Sequence, residues 1–154
     1  MSIKSIMTTK IYSISINHTI KDTITIMKNN DIGFLVILDQ EIVKGIITDR
    51  DIAIALINFS IDDKITKIMK TNVIYINEDS SIYEAADTFA YFGISRLLVI
   101  NKNNKLKGII SIFDLLTIDA YKDYVLDCLK ELKLNNNFYH YEIENDINIS
   151  RDFF

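Results

Sequence analysis

Two short phrases carry the residues best suited to chemistry: Gly45-Ile46-Ile47-Thr48-Asp49-Arg50-Asp51 and Gly108-Ile109-Ile110-Ser111-Ile112-Phe113-Asp114. Each ends an apolar, strand-like run, supplies a side-chainless residue at the turn, and places a hydroxyl and then a carboxylate at intervals of three as a helix begins. An ionised carboxylate is acceptor-only and can take both hydroxyls of a ribose cis-diol, at about 1.5–3 kcal/mol per charge-assisted bond. The hydroxyl residue and the first helical amides can meet a neighbouring phosphate. The same spacing, Thr48-x-x-Asp51 and Ser111-x-x-Asp114, is also that of a helix N-cap with an acidic third position, contributing about 0.5–2 kcal/mol. Both readings fit these residues, and one Asp can serve both.

Nothing else in the chain has the makings of a catalytic centre. His18 lies in a polar turn and His140 in a tail, each more suited to a solvated surface than to acid–base work. Cys128 belongs to a stripe, Ile118, Tyr121, Val125, Cys128, Leu132, whose spacing of three and four marks a helix face for packing. A Gly-rich phosphate loop, Cys/His metal spacing and a nucleophile elbow are all missing from the sequence. No catalytic residue, required cofactor or metal is expected.

The phrases belong to a longer repeat. Ile6-Met7 matches Ile68-Met69, Thr19-Ile20 matches Ser81-Ile82, and Phe34 to Leu38 matches Arg96 to Ile100, all at an offset of 62 that becomes 63 at Gly45 and Gly108. The extra residue falls in the Asn101 to Lys107 turn, where insertion costs little. The expected organisation is residues 1–60, residues 61–120, and a C-terminal helix and tail over 121–154.

Each repeat reads as strand, helix, strand, strand, helix. The opening strands are Ile11 to Ile16 and Val73 to Ile76. The first helices bury Ile20, Ile24, Met27 and Ile82, Ala86, Phe89 at helical spacing, with Ser81 and Glu84 as a capping box and Thr19 with Asp22 as a weaker one. Continuous apolar strands (Phe34 to Leu38, Leu97 to Ile100) and a shorter pair (Ile42 to Ile47, Leu106 to Ile110) follow. A unit of this size cannot bury both faces of its sheet alone, so the expected α/β (α+β) fold has two βαββα units packed sheet to sheet.

Composition excludes several partners. Of 154 residues, 49% are hydrophobic and 25% charged, ordinary values for a globular chain. A net charge of -4 without a Lys/Arg cluster argues against a nucleic-acid face. The single cysteine permits no internal disulfide, and no apolar run reaches the ~20 residues that span a bilayer. With no secretory pattern at Met1-Ser2-Ile3-Lys4, the expectation is a cytoplasmic protein without membrane insertion.

In this order and in duplicate, the residues over 1 to about 120 resemble the tandem CBS-domain (cystathionine-β-synthase-like) pair. The likeness rests on Ile-Met at each repeat's start, Ile94-Ser95-Arg96-Leu97-x-Val99-Ile100, and the two Gly-x-x-[Thr/Ser]-x-x-Asp phrases. The resemblance implies a pseudo-two-fold module, pairing of modules into homodimers, and clefts between repeats that hold an adenosine-containing ligand such as AMP, ADP, ATP, NAD or S-adenosylmethionine. It makes Asp51 and Asp114 the ribose carboxylates, Thr48 and Ser111 the hydroxyls beside ribose and phosphate, and Ile46 and Ile109 apolar flanks of the base. Ile14 and Ile74, with Ile32-Gly33 and Ile94-Ser95, would wall the adenine, and Arg50 and Arg96 would reach phosphate. The chain departs from the family where Leu98 stands in place of a frequent Pro, and near Asn17 and Glu78.

The leading functional expectation is a stand-alone regulatory module that senses an adenosyl ligand and signals to a partner protein. The alternative is a ligand-free dimerisation or scaffold module acting through its C-terminal extension. In that extension Tyr121 to Leu134 reads as an amphipathic helix, followed by an aromatic and acidic tail from Phe138 to Phe154. Hydrolysis of a bound nucleotide has little support in the residue types.

Overall fold

A computed structural model of the chain describes residues 1–134, and the surroundings of side chains through residue 130. The sequence repeat reappears in it as two three-stranded sheets of the same order. The first holds β1 (Ser13–Ser15), β2 (Phe34–Asp39) and β3 (Ile42–Thr48), with β1 parallel and β3 antiparallel to β2. Helix α1 (Ile20–Asn30) joins β1 to β2, and α2 (Asp49–Ala55) follows β3. The second copy runs β4 (Tyr75–Asn77), α3 (Ile82–Phe92), β5 (Arg96–Ile100), β6 (Leu106–Ser111) and α4 (Ile112–Leu116), with the same pairing. Helix α5 (Asp119–Leu134) then packs on α3 and α4.

Local sequence explains the boundaries. Thr19 with Asp22 and Ser81 with Glu84 both form complete capping boxes, so the first is no weaker in kind than the second. The left-handed residues that end α1 and α3 are Asp31 and Gly93, at φ 52° and 63°, a conformation glycine adopts freely and aspartate tolerates. Both central strands read as continuous apolar runs because both faces are covered: Leu35 and Leu97 join the cores while their neighbours Val36 and Leu98 are also buried. The inserted residue lies where the repeat offset changes. Four residues (39–42) separate the pair Leu38 and Val43, and five (101–105) separate Ile100 and Leu106.

The compact units do not have the sequence repeats' boundaries. One unit is Ile11–Val73; the other is Met1–Lys10 together with the described residues from Ile74 onward. The first ten residues of the first repeat and the first thirteen of the second (61–73) therefore complete the other repeat's fold. Ile3 is fully buried in the core with Ile82, Phe89, Leu97 and Ile110, and its N–H donates to Ser80 O at 2.9 Å. Ile65 is fully buried with Ile20, Leu35, Ile47 and Ile52, and its N–H donates to His18 O at 3.0 Å. Such exchange of lead segments leaves no trace in hydrophobic periodicity, which registers that Ile3 and Ile65 are buried but not where.

Val125 of α5 is fully buried, and Ile118, just before the helix, packs with Tyr121 and Cys128 against the same core, as the stripe predicted. Tyr83 of α3 meets Tyr121 and Tyr124 edge-on at 5.1 and 4.8 Å between ring centroids. The Tyr124 hydroxyl donates to Asp87 at 2.7 Å, and losing that bond on ionisation pushes its pKa up to about 12. Leu132 and the tail residues Phe138, Tyr139, His140 and Tyr141, with the acidic positions after them, lie outside the residues whose side chains are described. Among the described residues no helix is long and apolar enough to cross a membrane.

Candidate functional site

Strand β3 delivers Thr48 in extended conformation (φ -113°, ψ 161°), so its hydroxyl faces the open amides of α2. Thr48 Oγ1 accepts from the Asp51 N–H at 3.1 Å, while Asp51 Oδ2 accepts from the Thr48 N–H at 3.1 Å and from the Thr48 hydroxyl at 2.7 Å. The remaining oxygen, Oδ1, is 2.9 Å from Lys70 Nζ, and these two side chains are only 4% (Lys70) and 9% (Asp51) exposed. The Asp51 oxygen that the cap leaves over is thus engaged by an ammonium group.

Lys70 arrives there on the lead segment of the second repeat. Its backbone pairs with Ile46 in both directions, each bond 2.9 Å. This close crossing explains the glycine of the phrase. Gly45 lies within β3, one residue before Ile46, not at a turn as the sequence suggested, and a Cβ there would stand 2.6 Å from Lys70 O. Gly108 has the same place in β6, where a Cβ would meet Thr8 O at 2.8 Å. The two glycines make room for a crossing strand.

The second phrase repeats the cap with a different neighbour. Asp114 Oδ2 accepts from the Ser111 N–H at 2.7 Å and its hydroxyl at 2.9 Å, and Ser111 Oγ accepts from the Asp114 N–H at 3.3 Å. Thr8 pairs with Ile109 just as Lys70 pairs with Ile46, both bonds being 2.9 Å. Thr8 is exposed and uncharged, and among the described residues no cation forms an ion pair with Asp114.

The sheet gathers most other predicted residues around the phrases. Asp49 N–H donates to Gly33 O at 3.0 Å, bringing Ile32-Gly33 beside Thr48. Ile112 N–H donates to the buried Ser95 at its carbonyl, also 3.0 Å, bringing Ile94-Ser95 beside Ser111. Ile74 O accepts from Leu98 N–H at 3.4 Å, and Leu98 is in turn opposite Ile109. This is a donor that proline at 98 would lack. In the other unit the same place is filled by Tyr12, whose O accepts from Val36 N–H at 3.1 Å, with Val36 opposite Ile46. Ile14 instead lies in its unit's core at 4% exposure. Residue spacing at 62 pairs Ile74 with Tyr12, a signal that was available in the sequence. Arg50 and Arg96 are exposed; Arg96 is opposite Ser111 across β5 and β6.

A cleft of about 520 Å³ opens on the helix side of the Ile11–Val73 unit, lined by Met27, Ile32, Gly33, Asp49, Ile52 and Leu56 among others. Asp51 is not in its lining. A Cβ on Gly33 would come within 2.7 Å of Asp49 Oδ2, so the glycine lets that carboxylate close over it. Among the described residues no group of His, Cys, Asp and Glu has the arrangement of a metal site.

The CBS-domain family model matches the chain twice, over residues 3–58 and 65–121, and each match contains one copy of the Gly-x-x-hydroxyl-x-x-Asp phrase. The chain belongs to the CBS-domain family. It is 40% identical over 114 residues to an uncharacterized 17.7 kDa protein of Acidianus ambivalens, covering 73% of this chain and 70% of that one. It is 33% identical over 116 residues to the CBS domain-containing protein YhcV of Bacillus subtilis, covering 74% and 82%. Among solved structures, the CBS domain pair of protein MJ0100, crystallised with 5′-methylthioadenosine and S-adenosyl-L-methionine, superimposes with a TM-score of 0.68 at 28% identity, over 79% of this chain and 98% of that one. The CBS pair is thus the setting of both phrases, and their carboxylates occupy equivalent places in its two halves.

Proposed function

We propose that this CBS pair is a regulatory module that binds an adenosyl compound through the carboxylate of its doubled phrase and passes the occupancy to a partner protein. The observation that carries this reading is the paired placement of Asp51 and Asp114, each oriented by its own cap at a strand-to-helix junction. The likeness to the MJ0100 pair, with its two adenosyl ligands, supports the ligand class. On this reading Thr48 and Ser111 stand beside ribose and phosphate, Ile46 and Ile109 flank the base, Ile94-Ser95 and Ile32-Gly33 with Ile74 and, in the other unit, Tyr12 form adenine walls, and Arg50 and Arg96 approach phosphate. The module acts as a cytoplasmic homodimer and catalyses nothing; a ligand with unequal affinity for two arrangements of the pair shifts their populations.

Titration calorimetry with AMP, ADP, ATP, NAD and S-adenosylmethionine tests the reading. At least one binds at sub-millimolar concentration, and Asp114→Ala weakens it at least about tenfold, the equivalent of about 1.4 kcal/mol. The complete capping boxes favour a second reading, in which the phrases are structural and the module is a ligand-free scaffold. Absence of binding by all five compounds, with a lowered melting temperature in Asp114→Ala, would establish that one instead.

A further inference from the structure

The proposed function makes no use of Lys70, a buried lysine on a lead segment whose counterpart is an exposed threonine. The two phrases share strand, cap and carboxylate, and their crossing segments share the same two-way backbone pairing, Lys70 with Ile46 and Thr8 with Ile109. They differ in what faces the second carboxylate oxygen. We infer that Lys70 closes the Asp51 copy to a ribose, so that Asp114 alone takes the adenosyl ligand and each chain binds one such molecule rather than two. This deepens the adenosyl reading and rests on it.

The physical case lies in what a ribose would have to displace. Asp51 Oδ2 is held by the Thr48 N–H and hydroxyl, and Oδ1 by the Lys70 ammonium at 2.9 Å. A diol entering this site would exchange a charge–charge contact for neutral hydroxyl contacts. It would leave behind an ammonium only 4% exposed with its partner taken, and an unpaired buried charge is among the costliest groups in a protein. Lys70 cannot slide away with its backbone, because its N–H and C=O are both bonded to Ile46. At the other copy no such exchange is required. Ser111 takes Asp114 Oδ2, Thr8 brings no charge, and among the described residues no group bonds Asp114 Oδ1, which hydroxyls can approach.

The test is the stoichiometry of AMP, ATP and S-adenosylmethionine binding to the full chain by calorimetry, in the wild type, Lys70→Thr, Asp114→Asn and the double variant. Lys70→Thr installs the residue the other copy already carries. The expected result is one site per chain in the wild type, two in Lys70→Thr, none in Asp114→Asn, and one in the double variant. Two sites in the wild type, or one surviving in Asp114→Asn, overturn the inference and leave the adenosyl reading standing. Loss of binding in a folded Lys70→Thr protein also overturns it, by making Lys70 a phosphate ligand. Should Lys70→Thr not fold, Asp114→Asn in the wild-type background decides alone. Absence of binding by all three compounds to both wild type and Lys70→Thr overturns the adenosyl reading and the inference together.

Discussion

The junctions at Thr48-Asp51 and Ser111-Asp114 are built alike and finished differently. Each is a strand ending in a capping hydroxyl, held under a lead segment donated by the other repeat, with a glycine where that segment crosses. At the first the crossing residue is Lys70, whose ammonium pairs with the carboxylate; at the second it is Thr8, and the carboxylate has no ion-pair partner among the described residues. Duplication preserved the backbone solution, which depends on sterics, while a single side chain changed the electrostatics. A repeated motif therefore fixes a scaffold twice without fixing its chemistry twice.

The comparison yields a graded set of expectations. The largest effect concerns the shared scaffold. Ile3→Ala and Ile65→Ala each empty a fully buried site and should each cost about 4 kcal/mol. In hydrogen exchange, Ile3→Ala should lower protection first in β4, β5 and β6, although residue 3 belongs in sequence to the first repeat; loss confined to β1, β2 and β3 would break the assignment of lead segments. Next comes the difference itself. Lys70→Ala leaves Asp51 buried without its cation and should destabilise the chain by about 3 kcal/mol in denaturant titration, against under about 0.5 kcal/mol for Thr8→Ala at its exposed position. Equal effects would erase the distinction between the junctions.

The smallest effect should be common to both units. The Thr19 backbone N–H holds Asp22 below its usual value of 3.8, and the Ser81 backbone N–H holds Glu84 below 4.5. A carboxylate whose folded pKa is depressed stabilises the fold fully above its unfolded value, and that contribution is lost as pH falls through the folded one. The melting temperature should hold steady from pH 7 to about 5.5 and decline below about 4.5 as α1 and α3 lose their caps together. A decline confined to one unit would show that the two caps are not equivalent.

Much of this architecture could be read from residue order. The 62-residue offset marks the two sheets, the spacing of Ile20, Ile24 and Met27 marks the buried face of α1, and Thr19, Thr48, Ser81 and Ser111 mark four helix starts where the structure has caps. Glycine was legible as a position but not as a function: Gly45 and Gly108 read as turn residues, and in space they sit mid-strand beneath a neighbouring backbone. Apolar character points to Ile14, which is buried in its unit's core, whereas the 62-residue offset pairs Ile74 with Tyr12.

By itself the sequence determined the element order, the caps and the pair of candidate carboxylates, which depend on neighbours within a few positions along the chain, and the repeat, which shows as like residues recurring 62 positions apart. Only tertiary structure decided that residues 1–10 complete the second repeat and residues 61–73 the first, and that Lys70, nineteen positions from Asp51, closes one carboxylate while Thr8 leaves the other open. The reason is physical: caps and amphipathic faces are local and leave a periodic signature, whereas a buried ion pair between distant residues exists only once the backbone has brought them within 3 Å, and nothing in either residue's own surroundings along the chain announces the other.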